Sequence, residues 1–306
     1  MKNYFYITPT GDGWQNLAID EYLLNTLKAD ELCLLIYVNE NAVIMGKNQN
    51  PWAECDLEKM REDGVQLVRR CTGGGAVYHD KGNLNYSFIA HKDRYDEERQ
   101  TRLILDTLKD FGIYGERSGR NDLTVDGRKF SGTAFCSRGE NRQHHGTLLI
   151  DANMTKLGNY LTAAPQKLES KGIKSVRSRV VNLKEIIPTL NPEAVIKAIC
   201  EKFRREYGEF EELSLSNKSL EDIAELYERN RSWAWQLGKT PSFDYTYENR
   251  FPWGMARLCL NVENGVIAEV KLYTDALDVE LPERIESRLL GRKFDSEAAV
   301  RLLEEQ

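Results

Sequence analysis

The sequence predicts an α+β protein: a large domain built on a mixed β-sheet, followed by a small carboxyl-terminal α/β domain. Three observations predict it. Short apolar runs bounded by turn residues recur between residues 31 and 151, with capped helical patterns among them. The composition then shifts at RSWAWQLGKTPSFDYTYENRFPWG, residues 231–254, which is rich in aromatics, Gly and Pro and has no clean period. Beyond it lie one hairpin pattern and two short helical patterns, too little for a second large unit.

Taken in order, ELCLLIYV and AVIM, separated by Asn39, Glu40 and Asn41, read as a hairpin, and VQLVRR and LNYSFIA as further strands. Residues 97–111 fit a helix with Leu103, Ile104, Leu108 and Phe111 on one face and Gly112 as its stop. LTVDGRKFSGTAF reads as a hairpin because Asp126-Gly127 is a strong two-residue turn signal, and HGTLLID as a strand. Asn191-Pro192 starts a helix whose apolar face, Val195, Ile199, Phe203 and Tyr207, runs to Gly208. Another begins near Ser219, with Leu220, Ile223 and Tyr227 expected inward. After the boundary, GMARLCLNV, the Asn264-Gly265 turn and VIAEVKLYT make a hairpin. The expected division is 1–240, a linker at 241–253, and 254–306; no internal repeat is visible.

The chain has 306 residues, is 41% hydrophobic and 29% charged, and carries a formal net charge of −6, which argues against whole-protein attraction to nucleic acid or anionic lipid. Residues 167–184, KLESKGIKSVRSRVVNLK, run against that balance with six Lys or Arg and one Glu, so they read as either a solvated basic face or a docking surface for something acidic. The start, MKNYFYITPTGDGW, lacks a basic region followed by an apolar run, and no window is apolar enough to span a membrane, so a cytoplasmic protein is expected. Cys33, Cys55, Cys71, Cys136, Cys200 and Cys259 form no CxxC pair and are expected to be reduced thiols.

The chemistry is concentrated in two segments. In RRCTGGGAVYHDKGNLNYSFI, residues 69–89, three consecutive glycines stand between two strands, where backbone N–H groups can approach a ligand closely and Arg69 or Arg70 can pair with phosphate or carboxylate. A plain tight turn explains the glycines nearly as well, and the loop is neither GxxxxGK[ST] nor GxGxxG. In SGRNDLTVDGRKFSGTAF, residues 118–135, strand alternation sets Lys129 opposite Arg128 and Phe130, so one basic residue faces inward or along a cleft wall. By the same alternation only one of His144 and His145 points into a cleft, which argues against a paired metal site. Trp233, Trp235, Phe243 and Trp253 are expected to pack the domain junction.

Together these segments resemble the lipoate-protein ligase family, within the biotin and lipoate ligase fold group. The resemblance runs through NPWAEC, RRCTGGGAVYHDKGN, SGRNDL, GRKFSG, HHGTLLID, KGIKSVRSRVVNL and SWAWQLGKTPSF, in order, over most of residues 1–253. It implies a large catalytic domain, a small accessory domain and a two-step reaction. Free lipoate and ATP, with Mg²⁺, give lipoyl-AMP and pyrophosphate; a lysine of a lipoyl-acceptor domain (2-oxoacid dehydrogenase E2 subunits, glycine cleavage H protein) then takes the lipoyl group. The resemblance assigns Lys129 the catalytic contact with the lipoate carboxylate and the α-phosphate. It assigns Arg70 and the backbone of Gly74, Gly75, Ala76, Val77 and Tyr78 to the nucleotide phosphates, with side chains at the glycines excluded by the space the phosphates need. Asn121, Asp122 and His145 join the adenylate site, and Asp122 is the candidate Mg²⁺ ligand.

Two other readings are weaker. Acyl transferases of the same fold group dispense with ATP and use a cysteine thiol, yet the corresponding places here read ENRQHHG and YGERSGRNDL. A binder that captures lipoate or its adenylate without turnover has no need of Lys129, Arg70 and a full glycine loop. The short tail after residue 254 makes a hinge-like role for 241–253 the loosest part of the resemblance.

Overall fold

The computed structural model describes residues 1–119, 121–161, 167–170, 180–274, 276, 278 and 280–306. Half of the basic segment 167–184, residues 171–179, lies outside these residues.

The chain opens with β1 (Lys2–Ile7) and α1 (Gly13–Thr26), whose first amides, Trp14 and Gln15, donate to the Asp12 carboxylate as an N-cap. Next come β2 (Glu31–Val38), β3 (Asn41–Met45), α2 (Pro51–Glu54), α3 (Leu57–Glu62), β4 (Gln66–Arg69) and β5 (Ala76–Asp80). They are followed by β6 (Asn83–His91), α4 (Glu97–Lys109), β7 (Glu116–Ser118), β8 (Asp122–Val125), β9 (Arg128–Arg138), β10 (Asn141–Leu149), α5 (Met154–Tyr160) and β11 (Lys167–Ser170). α6 (Pro192–Tyr207) begins at an Asn191 cap and stops at Gly208, whose φ of +88° suits glycine. β12 (Glu211–Glu212), α7 (Asn217–Arg231) and α8 (Trp233–Gln236) complete the large unit.

Among the described residues the strands form three sheets. The largest has the order β12-β1-β2-β6-β10-β9-β8-β7 and is mixed, since β1 runs parallel to β2 and β12 and the remaining pairs are antiparallel. Its central strands are buried on both faces, and β2 shows why: Leu32, Leu34 and Ile36 point into a core closed by α4 and α6, while Cys33, Leu35 and Tyr37 point toward α1 and α7. The α1–α7 layer is held by the buried Glu21 carboxylate, which accepts from both terminal nitrogens of Arg229 at 2.9 and 2.6 Å. The β8–β9 turn is as the sequence predicts, with Asp126 and Gly127 at φ of +50° and +68°. β4, β3 and β5 form a small second sheet in front of the α1-side face of the large one.

The carboxyl-terminal unit contains β13 (Phe243–Phe251), β14 (Gly254–Glu263), β15 (Val266–Thr274), α9 (Leu281–Leu289) and α10 (Ser296–Glu304). Its sheet has the order β11-β13-β14-β15, so β11 of the large unit supplies an edge strand. Among the described residues no helix is long and apolar enough to cross a membrane.

Four expectations need correction. Residues 31–38 and 41–45 are not a hairpin: Asn39 is fully buried and hydrogen-bonded to Asn16, which turns the chain from the large sheet into the small one. The stretch 241–253 is mostly strand, because the alternating FDYTYENRF pairs with β14 along its length and with β11 over residues 243–246. The tail is therefore a three-stranded meander with two helices. Leu220 points outward and is 51% exposed, since the α7 stripe facing α1 is centred on Ile223. Trp235 binds the Arg69 carbonyl within the large unit and Trp253 binds the Leu303 carbonyl within the small one, so the junction is packed by Trp233 and Phe243.

Candidate active site

A cavity of about 810 Å³ lies between the α1-side face of the large sheet and the edge strand β5 of the small one. Its wall includes the glycine loop from Gly74, Ala76 to His79 of β5, Asn121, Asp122 and Lys129, and His145. Every site residue expected from the sequence thus reaches one cavity.

The glycine loop owes its shape to Arg70. This guanidinium is 9% exposed and donates to Gly73 O (3.0 and 2.6 Å), Gly75 O (2.9 Å) and Ile44 O (3.3 Å). Arg70, itself part of the cavity wall, therefore clamps the loop carbonyls. Arg69 is likewise engaged, with the carbonyls of Lys47, Gln49 and Gln236 and the Thr240 hydroxyl. At position 74 the fold itself also requires glycine: φ is +96°, and a Cβ there would stand 2.6 Å from Arg70 Nη2. At Gly73 a Cβ would meet nothing within 4 Å. Gly74→Ala should accordingly lower stability by about 1–2 kcal/mol and loosen Arg70, read as a shift in the denaturant midpoint.

β5 bears the next part of the wall. As an edge strand paired only to β3, it turns alternate amides away from the small sheet. The Tyr78 side chain points the other way, into a core with Val43 and Tyr160, and its hydroxyl donates to Asn41.

Lys129 stands on β9 beside the Asp126-Gly127 turn. Phe130 is fully buried on the opposite face, so alternation brings Lys129 to the cavity, where its Nζ lies 2.8 Å from the Asp122 carboxylate. The side chain curls over Gly132; a Cβ there would lie 3.1 Å from both Lys129 Cε and Nζ. Asn121 holds the same corner by accepting from the Thr133 amide and hydroxyl.

Of the two adjacent histidines, His145 lines the cavity; one ring nitrogen lies 2.9 Å from the Thr72 hydroxyl and the other 3.5 Å from the Asp20 carboxylate. It ties the glycine loop to α1. His144 faces the opposite core, stacked on Phe135 and Phe88. Burial, reinforced by His145 and Arg117, pushes the His144 imidazole down to about 3. The unfolded chain then binds more protons than the folded one between about pH 6.5 and pH 3. Stability is fully present above that range and falls as the pH drops through it, by about 1.4 kcal/mol per pH unit for each such group. His144→Gln should flatten the acid limb of a stability–pH curve by about 1 kcal/mol per unit between pH 6 and 4. The neighbouring Cys71 thiol pulls the Cys136 thiol down; neither lines the cavity.

Residues 12–204 match the family described as Lipoyl protein ligase A/B catalytic domain, and residues 240–305 match Bacterial lipoate protein ligase C-terminus. The chain belongs to the lipoate-protein ligase family. It is an enzyme of the ligase class. It is 43% identical over 293 residues to Lipoate-protein ligase A of Psychrobacter cryohalolentis, covering 92% of this chain and 86% of that protein. A crystal structure of P. falciparum LipL1 in complex with lipoate superimposes with a TM-score of 0.69 at 32% identity, over 98% of this chain and 93% of the other. A crystal structure of lipoate-protein ligase A bound with ATP gives a TM-score of 0.65 at 25% identity, over 74% and 95%.

Sequence reasoning missed several parts of this ligase's cavity wall. Tyr37 and Asn85 sit in runs that read simply as strands, Asn83 immediately precedes one, and Leu17 lies in a helix the apolar periodicity does not flag. The alternation of the 31–38 and 84–90 strands was the available signal for Tyr37 and Asn85, since both fall on the α1 side of the sheet. Among the described residues no cluster of three or more His, Cys, Asp or Glu could hold a metal ion by itself. Asp122, the expected Mg²⁺ ligand, is paired with Lys129, so the residues present suit an ion carried in on phosphates rather than one caged by protein.

Proposed function

We propose that the chain is an ATP-dependent lipoate-protein ligase that joins lipoate to a lysine of lipoyl-acceptor domains, such as 2-oxoacid dehydrogenase E2 subunits and the glycine cleavage H protein, in the cytoplasm. The observation that carries the reading is Lys129: a half-buried ammonium, held at 2.8 Å by Asp122, in the wall of the cavity that the glycine loop also lines.

In the first step a lipoate carboxylate oxygen bonds to the α-phosphorus of ATP and the bond to pyrophosphate breaks. Lys129 touches both the carboxylate and the α-phosphate, so its charge is set where negative charge gathers. The backbone from Gly74 to Tyr78, braced by Arg70, receives phosphate oxygens; Asn121 and His145 fix the walls. Asp122 is the carboxylate that would face a Mg²⁺ carried in with the triphosphate, and that ion would supply positive charge to offset the phosphates.

In the second step the acceptor lysine nitrogen attacks the adenylate carbonyl, AMP departs and the amine loses a proton. Adenylates hydrolyse if water reaches them, so the cleft closes for the first step and opens for the second. The joint proposed for that motion is 237–242, which runs from the Gln236 contact of Arg69 past its Thr240 contact to the start of β13. Moving the small unit must also break the β11–β13 pairing.

The thiol-dependent transferase alternative finds no cysteine among the described residues lining the cavity. The test is product analysis: lipoate, Mg-ATP and a lipoyl-acceptor domain together should yield AMP and pyrophosphate in equal amounts. Full-rate acyl transfer from a carrier protein without ATP would sink the proposal.

A further inference from the structure

In the cavity wall one buried nitrogen lacks a partner among the described residues. His79 is 4% exposed, lines the cavity, and its Nε2 has no hydrogen-bond partner among the described residues. The other nitrogen is fixed by a relay of amides. Asn16 Nδ2 lies 3.1 Å from the Thr10 and Val38 carbonyls, which only accept, and donates to Asn39 Oδ1 at 2.9 Å. Asn39 must therefore present its Nδ2, a donor, to His79 Nδ1 at 3.0 Å. Nδ1 accepts, so in the neutral ring the proton sits on Nε2. The ring stays neutral because burial, with Arg70 and His145 nearby, pushes it down to about 3.

The direction of the cavity gives this N–H a substrate partner. Lys129 and Asp122 are only partly buried, whereas His79, Tyr37, Asn85 and Leu17 are nearly or fully inaccessible. An elongated acid with its carboxylate at Lys129 places its far end among the buried set. We propose that His79, locked as the Nε2–H tautomer by Asn16 and Asn39, donates a hydrogen bond to the sulfur-bearing end of the acyl chain and so selects lipoate over the straight-chain acid octanoate. The inference rests on the ligase reading.

The physical basis is the cost of stranding a buried donor. A dithiolane sulfur is a weak but real acceptor, whereas the methyl end of octanoate displaces water from the N–H and returns nothing. A site built around such a donor rejects ligands that leave it unpaired. Asn83 Oδ1, also unpartnered in the cavity wall, does not discriminate, because neither acid carries a donor at that end.

The test compares kcat/KM for pyrophosphate release with lipoate and with octanoate in the full chain, together with binding of each acid alone by calorimetry. His79→Leu removes the donor, and the near-isosteric Asn39→Asp turns its partner into an acceptor, drawing the proton to Nδ1. Both should cut the lipoate-to-octanoate preference by about tenfold, with the change carried by lipoate KM and Kd rather than by kcat. An unchanged ratio in both variants, or an equal loss with both acids, overturns the inference and leaves the ligase reading standing. Wild-type protein that releases no pyrophosphate with either acid overturns the ligase reading, and this inference with it.

Discussion

Lys129→Ala should lower adenylate formation by about 100-fold or more while the protein stays folded. The catalytic term is large because one fixed charge serves both the carboxylate and the α-phosphate. The structural term is small: Lys129 gives up one partly exposed ion pair with Asp122, of a kind worth about 1 kcal/mol or less, and Phe130 still anchors β9 from the opposite face. Lys129→Arg should not restore the rate, because the longer planar head must pass the narrow space over Gly132. Pyrophosphate release and thermal unfolding, measured on the same samples, separate the two terms. Near-normal release in the alanine variant would move the catalytic charge elsewhere; Arg128, paired with Glu185 at 3.5 Å, is the nearest alternative on the strand.

Trp52→Ala should cost about 3–5 kcal/mol, the largest stability effect expected in the chain. Trp52 is the second residue of the short helix α2 of the large unit, yet its ring lies 5.2 Å from Phe243 and 5.3 Å from Phe294, inside the core of the carboxyl-terminal unit. Removing it opens a void where the two units meet, so the loss should loosen the small unit first. Limited proteolysis should then cut the variant faster between 237 and 242, and Trp52→Phe should recover much of the deficit. A change below about 1 kcal/mol, with unaltered cleavage, would mean that the β11–β13 pairing and the Arg69 contacts hold the units together without this ring.

Local signals in the sequence located the parts of the fold and site that depend on local chemistry. The Asp126-Gly127 turn and strand alternation brought Lys129 to the cavity, and the same alternation separated His145 from His144. Asn191-Pro192 and Gly208 bounded α6. What stayed illegible depends on partners distant in the chain or on backbone atoms that leave no mark on composition. Arg70 reads only as an anion contact, and nothing in RRCTGGG announces that three loop and strand carbonyls also take its donors. Asn39 reads as a turn former, since its burial comes from Asn16 in a helix that the apolar pattern does not reveal. Residues 241–253 read as a linker because the partners that make them a strand lie on either side in sequence, at 167–170 and 254–263.

The most direct measurement is the intact mass of a lipoyl-acceptor domain incubated with this protein, lipoate and Mg-ATP. The account predicts one lipoyl group on one lysine, requiring ATP, in wild-type protein, and a strongly diminished yield with Lys129→Ala. Modification that proceeds without ATP from an acylated carrier, or tight lipoate binding with no mass change in the acceptor, would contradict it.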